Sequence, residues 1–236
     1  MLDGVDDQTA KDARRRAWLR HCTALAMTAA AVAGMPVLAQ TLARAQAAST
    51  RHMTLLVVGD SLSAEYGLAR GSGWVALLEK RLAQEKLDAS VVNASISGDT
   101  TSGGRSRLPA LLRQHRPTHV ILELGGNDAL RGLPLAMTQA NLSEMVRASK
   151  ALGAKVVIAG MQVPPNYGRQ YGNDFYALFK TVAQTEGVSL VPFFLKGVAD
   201  VPQAESLFQA DRIHPREAAH PTLLANVWAV LKPMLR

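Results

Sequence analysis

Four short blocks hold residue types that could carry out acyl transfer. In Gly59-Asp60-Ser61-Leu62, Ser61 offers a hydroxyl nucleophile, and Gly59 permits a tight turn before it. Taken alone, the block reads equally well as a helix N-cap, and Ser61 would set its own backbone N–H near a helix start. The Gly-x-Ser-x-Gly nucleophile elbow is absent. In Ser95-Ile96-Ser97-Gly98-Asp99-Thr100, Gly98 could aim a bare backbone N–H at an oxyanion; an ordinary turn capped by Asp99 or Thr100 is the competing reading. In Leu124-Gly125-Gly126-Asn127-Asp128, Asn127 can present a side-chain NH₂ donor, or simply close an Asx turn. Asp128 reads as a cap or a loop ion pair. In Asp211-Arg212-Ile213-His214-Pro215, a carboxylate and an imidazole three residues apart can pair through Nδ1–H, leaving Nε2 as a general base. The bland reading there is a surface capping turn with an idle histidine.

The other histidines are poorer bases. His21 and His52 lie in or beside an N-terminal extension, and His115 ends a helix. His119 starts a strand at the wrong edge, and His220 falls inside a helix.

The four blocks have to be positioned by the elements between them. Thr54–Val58 is a continuous apolar run, the pattern of a strand buried on both faces. Ser90–Asn93, His119–Leu124, Lys155–Ala159 and Ser189–Val191 supply four more strands. Helical spacing is read over Trp74–Glu85, Arg105–His115, Leu135–Leu152, Asp174–Thr185 and Arg216–Leu235. Strand–helix alternation of this kind predicts an α/β domain with a parallel sheet and helices on both faces. Ligands of such sheets bind beyond the carboxyl ends of the strands. Three of the chemical blocks follow strands directly, and the fourth precedes the last helix. Together they fill every role of acyl transfer. Ser61 would attack, His214 would move the proton, and Asp211 would orient His214. The N–H groups of Ser61 and Gly98 and the Asn127 side chain would hold the oxyanion.

Composition narrows the class. Of 236 residues, 48 % are apolar and 19 % charged, enough to build a core. The single cysteine, Cys22, excludes an intramolecular disulfide framework and a cysteine-based metal site. The net charge of +7 raises nucleic acid as a partner. Against it, the only basic run is Arg14-Arg15-Arg16, later basic residues are dispersed, and no zinc-finger or RNP-like pattern is present.

Residues 1–47 read as a signal peptide, with a basic start, an uncharged stretch from Cys22 to Ala39 and an Ala45-Gln46-Ala47 cleavage site. Arg15-Arg16-Ala17-Trp18-Leu19-Arg20 is of the twin-arginine type. The expectation is a periplasmic or secreted enzyme spanning 48–236. Translation from Met53 would give a cytoplasmic one instead.

The blocks resemble those of the SGNH hydrolases, the GDSL esterase/lipase family. Gly59-Asp60-Ser61-Leu62 stands at that family's nucleophile block and Gly98 at its glycine block. Gly126-Asn127-Asp128 stands at the asparagine block, and Asp211-x-x-His214-Pro215 at the last. Asp60–Gly67, Asn93–Thr100, Leu108–Leu112, Glu123–Asp128 and Pro165-Asn166-Tyr167-Gly168 are similar to the bacterial periplasmic branch of thioesterase/protease/lysophospholipases, or arylesterases. One departure is Arg212, where the family commonly has glycine.

The resemblance implies a flavodoxin-like three-layer α/β/α sandwich with five parallel strands in the order 2-1-3-4-5. It implies a shallow substrate groove walled by Ala129–Pro134 and Met161–Tyr171, with Leu130, Pro165, Asn166 and Tyr167 as binding residues. The expected activity is serine ester hydrolysis of acyl esters and thioesters, with a small-molecule acyl ester or lysophospholipid as substrate. No metal, cofactor, nucleic acid or membrane span in the mature chain is expected, and the chain is expected to be a monomer. The alternatives are a carbohydrate O-deacetylase or acyltransferase on the same fold, and a non-catalytic flavodoxin-like binding module.

Overall fold

The computed structural model describes residues 52–235. The expected export segment and its cleavage site lie outside them. The apolar runs become the strands β1 (Met53–Gly59), β2 (Ala89–Asn93), β3 (His119–Glu123), β4 (Lys155–Ala159) and β5 (Ser189–Val191). They form a five-stranded sheet, all parallel, in the order β2-β1-β3-β4-β5. Leu55–Val58, Val120–Leu122 and Val156–Ala159 are buried, because helices cover both faces of the sheet.

The helices are α1 (Trp74–Gln84), α2 (Thr101–His115), α3 (Gly126–Leu130), α4 (Leu135–Ala151), α5 (Arg169–Glu186), α6 (Ala204–Leu207) and α7 (His220–Leu231). Helices α2, α4 and α5 pack side by side, and α1 packs against α7. Among the described residues, no helix is long and apolar enough to cross a membrane.

Several boundaries differ from the sequence reading, each for a physical reason. Helix α2 begins at Thr101, four residues before the expected Arg105, so Gly103 and Gly104 lie in its first turn. Its N-terminus is capped twice. Thr100 Oγ1 accepts from Gly103 N at 3.3 Å, and Asp128 Oδ2 accepts from Thr101 N at 2.8 Å. A Cβ on Gly104 would stand 2.3 Å from Leu124 Cδ1, so glycine here permits close approach of helix to core.

Helix α5 begins at Arg169 where Asp174 was expected. The aromatic ladder Tyr171–Phe175–Phe179, with centroids 6.4 and 5.2 Å apart, carries it back a full turn. The last helix is shorter than Arg216–Leu235. A 3₁₀ turn at Glu217–Ala219 precedes α7, which has Pro221 in its first turn, and a second 3₁₀ turn with Pro233 follows it. The turn after β3 closes into the short helix α3. Ser61 is followed by a run of turns and not by the expected helix start; α1 begins only at Trp74.

Candidate active site

Ser61 leaves β1 on a turn built by its neighbour. Asp60 Oδ1 accepts from Leu62 N at 3.0 Å, and the Asp60 carbonyl accepts from Ser63 N and Ala64 N at 3.2 and 2.9 Å. The last block folds as a tight turn around Asp211. Asp211 Oδ1 accepts from Ile213 N and His214 N at 2.9 and 3.0 Å, and Oδ2 accepts from His214 Nδ1 at 2.7 Å. That fixes the ring proton on Nδ1. Nε2 is left to accept from Ser61 Oγ at 2.8 Å, across 153 residues of sequence.

The backbone amides of His214 and Ile213, and then the imidazole, hold the Asp211 carboxyl down to about 2. The Tyr66 ring lies against the His214 ring with centroids 4.3 Å apart, and Gln209 ties the two loops by donating to Tyr66 O at 2.9 Å. Arg212 takes φ +58°, a left-handed conformation that glycine adopts most easily. Its guanidinium faces Glu205 at 3.7 Å in an exposed pair that adds little stability.

Three donors are expected at the oxyanion: Ser61 N, Gly98 N and the Asn127 side chain. Among the described residues, neither Ser61 N nor Gly98 N has an acceptor. Gly98 sits at φ +79°, and its carbonyl accepts from Arg131 Nη2 at 2.7 Å. Asn127, in the first turn of α3, donates from Nδ2 to Asp60 Oδ2 at 2.9 Å. One N–H of that amide remains. A serine hydroxyl, an oriented imidazole and three donors can together perform nucleophilic acyl transfer.

Beneath the nucleophile is a pair of acids that the sequence reading did not single out. Glu123, at the carboxyl end of β3, is fully buried. Its Oε2 accepts from Ser63 Oγ at 2.6 Å and from Asp60 N at 3.3 Å, and Ser63 Oγ accepts from Trp74 Nε1 at 3.1 Å. Burial pushes the Asp60 carboxyl up to about 6, opposed by hydrogen bonds from Leu62 N and Asn127. Burial, and then the Asp60 charge, push Glu123 well above its ordinary value. A glutamate directly after the apolar run Val120–Leu122 was the available clue, since an acid is rarely buried unless paired.

The remaining expected residues differ in exposure. Leu130 and Asn166 are exposed, and Pro165 lies in the 3₁₀ turn Pro165–Tyr167. Tyr167 is half-buried and stacks on Tyr171 with centroids 6.2 Å apart. Ala129 and Met161, expected in the groove walls, are buried in the core because α3 and the end of β4 turn them inward. Asp128 is a cap, but for α2 rather than for its own loop. His119 is buried against Met234 O, and His220 accepts from Trp74 N, so both are structural.

The model of the GDSL-like lipase/acylhydrolase family matches residues 57–221. The chain is 56 % identical over 182 residues to esterase TesA of Pseudomonas aeruginosa, covering 77 % of this chain and 89 % of that protein. It is 43 % identical over 182 residues to thioesterase 1/protease 1/lysophospholipase L1 of Escherichia coli K12, covering 77 % and 85 %. The crystal structure of TesA superposes with a TM-score of 0.74 at 55 % identity, covering 77 % of this chain and 99 % of that one.

Proposed function

The chain belongs to the GDSL-like lipase/acylhydrolase family, and from that premise we propose that it is a serine ester hydrolase working through an acyl-enzyme at Ser61. His214 Nε2 removes the Ser61 proton as Oγ attacks the acyl carbonyl. The oxyanion is held by Ser61 N, Gly98 N and Asn127 Nδ2. The intermediate collapses as His214 returns the proton to the leaving oxygen or sulfur. Water, deprotonated by His214, then attacks the acyl carbonyl, and His214 returns that proton to Ser61 Oγ as the acid is released. Asp211 keeps the imidazole in one tautomer and stabilises its cation. The 2.8 Å hydrogen bond from Ser61 Oγ to His214 Nε2, continued to Asp211, carries this reading.

The substrate class is acyl esters and thioesters, in keeping with relatives named esterase and thioesterase/lysophospholipase. Leu130, Pro165, Asn166 and Tyr167 line the approach for the acyl or leaving group. Residues 1–47 act as a signal peptide, and the enzyme works in the periplasm or outside the cell. That placement favours lipid and small ester substrates over acyl-CoA.

The test is hydrolysis of p-nitrophenyl esters from acetate to palmitate by the protein, beside Ser61→Ala. Turnover that requires Ser61 is expected, with an optimum beyond acetate. An optimum at acetate would favour the O-deacetylase reading. No Ser61-dependent turnover by folded protein at any chain length would overturn the hydrolase.

A further inference from the structure

Asp60 stands where three parts of the site meet, and each of its carboxylate oxygens serves a different one. Oδ1 receives Leu62 N of the nucleophile turn, and Oδ2 receives the Asn127 amide from α3. Its backbone N–H reaches Glu123 Oε2 on β3. The side chain is 2 % exposed, and among the described residues no cation pairs with it. Such a buried carboxylate costs stability, so packing alone does not account for it.

An asparagine amide is nearly symmetric in shape, and which end faces a neighbour is settled by hydrogen bonding. Among the described residues, Asn127 Oδ1 accepts no hydrogen bond, and the one fixed contact of the amide is the Oδ2 of Asp60. An ionised carboxylate only accepts. It therefore requires the nitrogen end of Asn127 to face it, which leaves the second N–H of that nitrogen for the oxyanion side.

We propose that Asp60 is a positioning residue for catalysis, holding the Asn127 amide with its nitrogen toward the oxyanion. The inference rests on the reading of Asn127 as an oxyanion donor. Its chemistry is specific. Asparagine at position 60 would keep one acceptor and replace the other with an NH₂. Either Leu62 N or Asn127 Nδ2 would then face a donor. If the acceptor stays on Leu62 N, Asn127 turns its oxygen inward and the oxyanion loses a partner.

A proton on Asp60 would have the same effect. The titratable and charged groups facing it are Glu123 from β3, His214 from the last block, and Asp99 from the turn after β2, itself paired with Arg107 at 2.8 Å.

The experiment is a double-mutant cycle of Asp60→Asn and Asn127→Ala, with kcat and KM measured on an aryl ester above pH 7. Each single variant is expected to lose about 10²-fold in kcat, the size of an oxyanion donor, with KM little changed. The double variant is expected to be no slower than Asn127→Ala. Equal losses from Asp60→Asn in both backgrounds would overturn the inference by making Asp60 act independently of Asn127. Full kcat in Asn127→Ala would remove Asn127 from the oxyanion hole and the inference with it, while leaving the Ser61 test intact.

Should Asp60→Asn fail to fold, the wild-type protein can be followed by NMR above pH 7, looking for a through-hydrogen-bond coupling between Asn127 Nδ2 and the Asp60 carboxyl carbon. The coupling is expected. Its absence, with both Asn127 side-chain N–H groups exchanging freely with water, would overturn the inference.

Discussion

At the scale of single residues, the candidate site holds two acids whose surroundings treat charge oppositely. Asp211 lies among backbone N–H donors that favour its ionised form, so it remains a carboxylate throughout the working range. Its contribution to stability is present above its ordinary value near 4 and fades as pH falls toward 2. Asp60 is raised by burial, so its ionisation opposes folding as pH rises from about 4 to about 6. Asp60→Asn removes that cost. The Tm difference, variant minus wild type, should be more positive at pH 8 than at pH 4 by differential scanning calorimetry, and an opposite slope would refute the burial argument. The triad has its own ladder of losses. Ser61→Ala or His214→Ala should lower kcat by up to about 10⁶. Asp211→Asn, which keeps the shape but admits the wrong tautomer, should cost up to about 10⁴. Steady-state rates on one aryl ester, with thermal melts to establish folding, check the order.

Among the elements, the strands were the more legible. Lys155–Ala159 and Ser189–Val191 match the structure residue for residue, and in the interior strands the apolar runs Leu55–Val58, Val120–Leu122 and Val156–Ala159 are legible because both sheet faces are covered there. Helix starts were less so. Thr101-Ser102-Gly103-Gly104 reads as loop by propensity, yet it forms the first turn of α2 because Asp128 caps it from α3 and Leu124 needs the space of a missing side chain. Neither partner is near in sequence. The same fact gives a prediction that opposes helix propensity. Gly104→Ala should destabilise the fold by about 1–3 kcal/mol through overpacking against Leu124, although alanine is the better helix former. Urea unfolding measures it, and a stabilised variant would show that α2 can shift outward. Helix α3 was legible only as a turn, since five residues carry too little periodicity to register.

For the whole molecule, the proposed mature chain 48–236 contains no cysteine, Cys22 being the only one. Iodoacetamide should therefore leave its activity unchanged, whereas an alkyl phosphonate ester should abolish it by modifying Ser61; thiol-dependent turnover would contradict a serine nucleophile. The export reading predicts that protein recovered outside the cytoplasm begins near Ala48 by N-terminal sequencing. Lysine at both Arg15 and Arg16 should retain it inside. A mature N-terminus at Met53 in the cytoplasm would favour the later start. The sequence by itself determined the sheet, through its apolar runs. It also offered candidate chemical groups, because Ser61, Gly98, Asp211 and His214 stand in turns, and Asn127 at the start of a short helix, where residue type is little constrained by packing. Only the tertiary structure decided which of them meet. Ser61 and His214 touch because β1 and the turn before α7 are brought to the same end of the sheet. Asp60 and Glu123 acquire their shifted charges from burial, and burial is a property of what surrounds a residue, not of the residue itself.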